Sequence, residues 1–150
     1  GAGEEADELR TRIESMPNHV TWHGQLSPQE LAAQMRNAHV FVLPSFYEGL
    51  ALVIVEAIAC GCRVVATGLP GTVELAQQLP DAIKLVDPPT MRTIDQPLEE
   101  DLPAFVERLA EAIQSSLATP PLTDATSLVR TFTWKAVFDR IANAWRAALV

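Results

Sequence analysis

The sequence predicts an α/β fold with a Rossmann-like parallel sheet flanked by helices. Short apolar segments alternate with segments of helical periodicity along the chain, as in folds where a crossover helix follows each strand. Several apolar segments, such as HVFVLP at residues 39–44, show no polar alternation, which is typical of parallel strands buried on both faces. With 150 residues, 48% of them apolar and 20% charged, the chain has the composition of one globular domain.

The first part of the chain predicts a helix, a short strand and a second helix. Residues 6–16 have the composition of a polar surface helix, and residues 19–24 (HVTWHG) predict a strand. Ser27 is expected to cap the next helix, because Pro28 occupies the first helical position and Glu30 stands three residues after the cap.

The middle of the chain repeats the alternation of strand and helix. The helix capped by Ser27 is expected to end at Ala38, and the strand 39–44 follows it. The apolar segment 52–60 (LVIVEAIAC) predicts a buried helix that ends at Gly61. The next expected elements are a strand at 63–67, a short helix at 72–78 and a strand at 83–87.

After these strands the chain predicts a long connection and two more helices. Residues 88–100 are rich in proline and acidic side chains, which is typical of a loop or linker. Asp101 is expected to cap a helix that ends near Leu117, before Pro120 and Pro121. A final helix carries an apolar stripe, which we interpret as packing surface. It spans residues 133–149, with Trp134, Val137, Phe138, Ile141, Trp145 and Leu149 at helical spacing.

These elements predict one domain over residues 1–150 that lacks part of its sheet. Only four strands are expected, whereas sheets usually hold about five or six. The chain opens on Gly1-Ala2-Gly3 followed directly by a helix, as if a strand had just ended. Residues 118–150 are expected to form the C-terminal helical segment of the same domain. An unpaired buried-type strand leaves an adhesive edge, so we expect self-association through the sheet.

Charge and cysteine content exclude several classes of protein. With 11 basic and 19 acidic residues the formal charge is −8, which argues against nucleic-acid binding through clustered Lys and Arg. No apolar run approaches the roughly 20 residues of a membrane span, and no secretory signal is visible. Cys60 and Cys62 are too few for a disulfide framework, which favours two buried thiols in a cytoplasmic protein. Because His19, His23 and His39 lack metal-ligand spacing, no metal site is expected.

Glu56 is the most unusual residue of the apolar helix 52–60. It is the only charged residue between Glu48 and Arg63. Since an isolated buried carboxylate is costly, Glu56 is expected to meet a polar partner, to reach solvent at a cleft or to bind a ligand. Periodicity alone gives a buried ion pair or cap as much weight as a ligand.

Two loops are expected at the edge of the sheet where ligands bind in parallel folds. Glu48 and Gly49 follow the strand 39–44, and Gly49 allows close approach of the backbone to a ligand. The next helix points its free N–H groups into the same cleft, where they favour an anion. Residues 68–74 (GLPGTVE) form a second glycine-rich loop, which matches neither Walker A nor GxGxxG. Alone, Glu48 could be an ordinary solvated acid and Ser45 a helix cap.

As a set, residues 41–75 resemble the C-terminal, nucleotide-sugar-binding domain of the family 4 (group 1) retaining glycosyltransferases. That family has a strand ending in Pro-Ser, a Glu-x7-Glu motif, a helix end with small residues and glycine, and a G-x-x-E loop. The matching residues are Pro44-Ser45, Glu48 and Glu56, residues 57–65 (AIACGCRVV), and Gly71 and Glu74. Phe132-Thr133-Trp134 resembles the F-[ST]-W that begins the family's last helix, so the resemblance spans nearly the whole chain.

The resemblance implies a GT-B fold, in which a nucleotide sugar binds between two Rossmann-like domains and mainly to this one. It implies that Glu48 is the carboxylate of the catalytic site, in contact with hydroxyls of the donor sugar, and that Glu56 binds the two ribose hydroxyls. The other implied donor-binding residues are Ser45, the backbone amides of Gly49, Leu50 and Ala51, and Gly24 and Gln25 beside the base. No cofactor and no metal is expected, since basic residues and helix dipoles stabilise the departing diphosphate in this family.

The sequence also departs from the family pattern. The family's diphosphate-binding Arg and Lys lie in a glycine-rich loop that would precede Gly1, and the N-terminal acceptor-binding domain lies outside the chain as well. We therefore expect the donor-binding half of a glycosyltransferase, inactive alone, whose partner is the acceptor-binding domain of the same polypeptide. Residues 87–101 form a longer connection than the family usually has.

Three alternatives share parts of this pattern. A GT-B nucleotide-sugar epimerase has the same fold but lacks the PS-x-x-E-G loop found at residues 44–49. A non-catalytic scaffold domain has no need for both Glu48 and Glu56. A flavodoxin-like receiver domain requires an acidic pair after its first strand, and the sequence has none.

Overall fold

A computed structural model describes residues 6–16 and 19–148 and shows a parallel sheet flanked by helices. The sheet has the order β1–β2–β3, and its strands are β1 (Val40–Leu43), β2 (Arg63–Thr67) and β3 (Ile83–Val86). The helices of the described ranges are α1 (Ala6–Glu14), α2 (Pro28–Asn37), α3 (Leu52–Ala59), α4 (Pro70–Gln78), α5 (Leu102–Leu117), α6 (Ala125–Leu128) and α7 (Trp134–Ala148). The predicted α/β class and the alternation of strand and helix from β1 to α5 are confirmed.

The central strand β2 is covered by helices on both faces. Val64 and Ala66 lie in one core with residues of α3 and α4, whereas Val65 packs in a second core with Phe105 and Ala112 of α5. Burial on both faces explains why β2 shows no polar alternation. The outer strand β1 is only half-buried along its length, because it pairs with β2 on one side and with no other described strand.

The helix boundaries follow the local signals in the sequence. At the start of α2, the Ser27 hydroxyl accepts a hydrogen bond from the Glu30 N–H (3.3 Å), and the Glu30 carboxylate accepts one from the Ser27 N–H (2.8 Å). The Ser27 hydroxyl also donates to the Glu30 carboxylate (2.6 Å). This bond and the bond from the Ser27 N–H hold the pKa of Glu30 below its ordinary value. After α3, Gly61 adopts a left-handed φ of +98°, which ends the helix as predicted.

The strand predicted at residues 19–24 is wrong. This segment has no ladder partner among the described residues, and Val20, Thr21 and Trp22 line a shallow groove with Ile13 of α1. The local preference of VTW for extended backbone does not supply the hydrogen-bonded neighbour that makes a strand. The sheet therefore has three strands in the described chain and not the four that were expected.

Helix α7 keeps its apolar stripe exposed. Trp134 and Trp145 are 76% and 72% exposed, and α7 packs mainly against the short 3₁₀ turn Arg130–Phe132. The stripe predicted as packing surface therefore meets no core within the described chain, while Leu149 lies outside the described residues. No helix among those residues combines the length and the hydropathy needed to cross a bilayer.

Candidate functional site

The loops that follow the three strands meet at the carboxyl edge of the sheet. Residues 44–51 follow β1, residues 68–69 connect β2 to α4, and residues 87–98 follow β3. Open parallel sheets bind their ligands at this edge, because loops and helix N-termini converge there. The Glu48 loop and the glycine-rich loop thus lie at neighbouring strand ends, as the sequence predicts.

The loops after β1 and β2 touch backbone to backbone. A Cβ atom on Gly71, in the first turn of α4, would overlap the carbonyl oxygen of Gly49, so only glycine fits without displacing a loop. Thr72 fixes the start of the same helix: its hydroxyl accepts the Leu69 N–H (2.8 Å) and donates to the Thr67 carbonyl oxygen (2.5 Å). The N-terminus of α4 therefore supports the loop that carries Glu48.

Ser45 and Glu48 are held together within this loop. The Ser45 Oγ donates a hydrogen bond to Oε1 of Glu48 at 3.1 Å, and both residues are half-buried. No other hydrogen bond to this carboxylate comes from the described residues, so Oε2 keeps its full capacity to accept. A carboxylate held at one oxygen and free at the other is suited to bind a hydroxyl group.

The start of α3 presents unpaired backbone donors next to Glu48. The N–H groups of Gly49, Leu50 and Ala51 donate no hydrogen bond to other described parts of the chain. The N-cap residue Ala51 has no side-chain acceptor that could satisfy the first turn. Such a helix start carries a partial positive charge and favours a negatively charged group.

Glu56 lies one turn further along α3 and faces solvent. Ile54, Ala57 and Ile58 of the same helix are fully buried, whereas Glu56 is exposed, as is Leu52 four residues before it. Glu56 has no hydrogen bond or ion pair with any described residue. Of the outcomes expected for this carboxylate, the buried ion pair is therefore wrong, and Glu56 reaches solvent.

Gly24 and Gln25 lie in the segment between α1 and α2. Both residues are exposed, and Gly24 has a φ of +66° that favours glycine. Neither residue lines the cavity beside Glu48. Their predicted place beside a nucleobase remains a prediction.

A cavity of about 320 Å³ opens beside Glu48. It is lined by Phe46, Tyr47, Glu48, Leu69, Pro70, Met91, Thr93 and Ile94. Three of these residues belong to the connection after β3, to which the sequence assigned no role. The available signal was the pair Met91 and Ile94, two apolar residues in a polar loop at the carboxyl end of a strand.

That connection is ordered, whereas the sequence predicted a loop or linker. Residues 90–98, called here the 90–98 hairpin, are joined by an antiparallel bridge between Met91 and Pro97. The Leu98 N–H donates to the Thr90 carbonyl oxygen (2.8 Å), and the Arg92 N–H donates to that of Gln96 (2.7 Å). These backbone bonds hold the two arms of the hairpin together.

The base of the hairpin is tied to the start of α5. The Thr90 N–H donates to Oδ2 of Asp101 at 3.1 Å, and the Arg108 guanidinium donates to the Asp87 carbonyl oxygen at 3.2 Å. Hydrogen bonding from the side chain and from the backbone of Thr90, together with the charge of Arg108, holds the pKa of Asp101 below its ordinary value. The carboxylate form of Asp101 thus anchors the hairpin.

We expect acid to release this anchor. A carboxyl group whose pKa is lowered in the folded state stabilises the fold above its unfolded pKa, and the stabilisation disappears as the pH falls through the folded pKa. NMR titration should show the Thr90 amide shift following an Asp101 pKa below that of an unstructured Asp. The Leu98 amide, which bonds to a backbone carbonyl, is the internal control. An Asp101→Asn variant that left the titration of Thr90 unchanged would contradict the assignment.

Of the two thiols expected to be buried, only that of Cys62 is, whereas Cys60 is half-buried. Cys62 is buried and its thiol donates to the Met35 carbonyl oxygen at 3.0 Å. Burial and the neighbouring Cys60 raise the pKa of Cys62. His39 Nε2 lies 2.9 Å from the Thr119 carbonyl oxygen. In the described ranges no three His, Cys, Asp or Glu side chains come close enough together to hold a metal ion.

Known relatives match this chain over different lengths. An α-maltose-1-phosphate synthase from Mycobacterium tuberculosis is 27% identical over 154 residues, which cover 95% of this chain and 37% of the relative. A D-inositol 3-phosphate glycosyltransferase from an Arthrobacter species is 46% identical over 56 residues, or 37% of this chain and 13% of the relative. A phosphatidyl-myo-inositol mannosyltransferase from Mycolicibacterium smegmatis is 39% identical over 70 residues, or 46% of this chain and 18% of the relative.

The chain spans 37% or less of the length of these relatives. The sequence profile of the family described as glycosyl transferases group 1 matches residues 1–117. This match includes β1, α3 and the loops that bear Glu48 and Gly71, which were singled out from the sequence. The chain therefore belongs to the group 1 glycosyltransferase family.

Proposed function

We propose that the chain is the donor-binding half of a retaining glycosyltransferase, which transfers a sugar from a nucleotide sugar to an acceptor. The observation that carries this proposal is the arrangement at the start of α3. There a carboxylate with one free oxygen, Glu48, stands next to the unpaired N–H groups of residues 49–51. Membership of the group 1 family supports the same conclusion.

Each group at this site suits one part of a nucleotide sugar. The N–H groups of residues 49–51 face the diphosphate, whose charge the helix dipole of α3 stabilises. Oε2 of Glu48 accepts a hydroxyl of the sugar, while Ser45 keeps the carboxylate oriented. Glu56 accepts both ribose hydroxyls, since two adjacent O–H donors match the two oxygens of one carboxylate.

The proposed reaction needs no metal and needs more than residues 1–150. The negative charge that develops on the departing diphosphate is met by backbone dipoles and by basic residues of the remaining polypeptide. The acceptor binds to a second domain of that polypeptide, which closes over the donor. In this proposal Gly24 and Gln25 border the nucleobase.

Ligand-observed NMR tests the proposal directly. UDP, GDP, ADP and their sugars are offered in competition to the chain and to the native polypeptide that contains it. We expect one nucleotide and its sugars to bind at a common site, and we expect the transferred sugar to keep its anomeric configuration. If the native polypeptide binds none of these nucleotides, the proposal fails.

A further inference from the structure

The cavity beside Glu48 combines apolar walls with one carboxylate. Among the described residues that line it, Glu48 alone is charged, and six of the other seven are apolar or aromatic. Of the lining residues, Tyr47 and Ile94 are 63% and 71% exposed, so both side chains are open to a ligand. At about 320 Å³, the cavity falls at the lower end of the range for small-molecule sites, roughly 300–1,000 Å³.

This chemistry fits a single neutral sugar ring. A pyranose has an apolar face of C–H groups and a rim of hydroxyls, so one face can pack on aromatic or aliphatic side chains while a hydroxyl donates to a carboxylate. A sugar acid is disfavoured, because its carboxylate would face Glu48 without any cationic side chain among the described lining residues and would lose water against Met91 and Ile94.

The 90–98 hairpin supplies part of the wall of this cavity. Its residues Met91, Thr93 and Ile94 line the cavity together with residues of the Glu48 loop. The Met91–Pro97 bridge and the bond from Thr90 to Asp101 hold the hairpin in this place. This part of the wall is therefore fixed by hydrogen bonds to the rest of the fold.

We propose that the 90–98 hairpin is the specificity wall of the sugar subsite. Met91 and Ile94 cover the apolar face of a neutral pyranose whose hydroxyl Glu48 accepts, and together with the charge of Glu48 they disfavour sugar acids. This inference rests on the proposed function, since it assumes that a nucleotide sugar places its sugar beside Glu48. It adds residues that select the sugar, and these residues lie outside the motifs identified in the sequence.

The test separates binding of the sugar from binding of the nucleotide. For the nucleotide found to bind, the dissociation constants of the free diphosphate, its neutral hexose derivative and the matching uronic acid derivative are measured by calorimetry on the native polypeptide. Ile94→Ser removes the exposed apolar contact, and Val106→Ser on α5 is the control, because Val106 is also exposed (57%) and lies outside the cavity lining.

We expect Ile94→Ser to weaken binding of the neutral nucleotide sugar about three- to tenfold and to leave binding of the free diphosphate unchanged. A second variant replaces residues 92–96 by Asn-Gly, which joins Met91 to Pro97 through a two-residue turn. It should weaken binding of the hexose derivative at least as much as Ile94→Ser does and reduce the preference for the hexose over the uronic acid, while Glu48 keeps the rest of that preference. Thermal melting of each variant checks that the fold is retained.

Different results would contradict the proposed function and the role of the hairpin. If both hairpin variants keep the sugar affinity and the sugar preference of the parent, the hairpin is not the wall of the subsite, and the proposed function stands. If the parent polypeptide binds no nucleoside diphosphate, the proposed function fails and this inference fails with it. A loss of diphosphate affinity in Ile94→Ser would also contradict the inference, because the hairpin would then act on the nucleotide.

Discussion

Replacing Glu56 by alanine should weaken binding of the nucleoside diphosphate roughly ten- to a hundredfold. At this exposed carboxylate we expect the pair of charge-assisted hydrogen bonds to contribute about 1.5–3 kcal/mol in all, and a tenfold change in affinity corresponds to about 1.4 kcal/mol. The stability of the fold should not change, because Glu56 is exposed and bonds to no described residue. Calorimetry and a thermal melt measure the two quantities separately.

Deoxynucleotides make this test specific for the ribose. If Glu56 binds both hydroxyls, the parent should bind a 2′-deoxynucleoside diphosphate more weakly than its ribose counterpart, and Glu56→Ala should bind the two alike. The matched control for loss of a surface charge is Glu107→Ala, since Glu107 is also an exposed glutamate but lies on α5. A Glu56→Ala variant that still distinguished the two sugars would show that another residue binds the ribose.

The sequence predictions are most accurate where an element depends on its own residues or their near neighbours in the chain, and least accurate where it depends on a distant partner. The start of α2 was predictable, because the Ser27–Glu30 capping box is made by residues three apart. The strand 63–67 was predictable because burial on both faces leaves a continuous apolar segment. The strand at 19–24 was wrong, since a strand depends on a distant partner that local preference does not reveal.

The candidate site shows the same limit. The sequence identified Glu48, Gly49 and Gly71 as residues at strand ends, and the structure shows that their loops touch. The sequence did not show that Glu56 is exposed. The helix at residues 52–60 is apolar except for this one charge, and this pattern is typical of a helix buried on every side. Composition also did not reveal that the Pro-rich connection folds back as a hairpin toward Glu48. The hydrogen bonds that hold this hairpin join backbone groups, which nearly every residue type carries.

Gly71→Ala should destabilise the fold, although alanine normally favours a helix over glycine by up to about 1 kcal/mol. The added Cβ would overlap the Gly49 carbonyl oxygen and lie 3.6 Å from Cα of Leu50. Overpacking against backbone typically costs about 1–3 kcal/mol, so we expect the free energy of unfolding in urea to fall by about that amount. Because the Gly49 loop must move, nucleotide affinity should fall as well.

Gly68→Ala is the matched control, three residues earlier in the same glycine-rich loop. Its Cβ would lie 3.6 Å from the Val86 carbonyl oxygen and 4.0 Å from the Leu85 Cβ, which is ordinary contact. We expect its stability to stay within about 0.5 kcal/mol of the parent. If Gly71→Ala matched the parent in stability and left the amide shifts of Gly49 and Leu50 unchanged, the support of the Glu48 loop by α4 would be disproved. If only the affinity fell, the close contact would serve the site and not the stability of the fold.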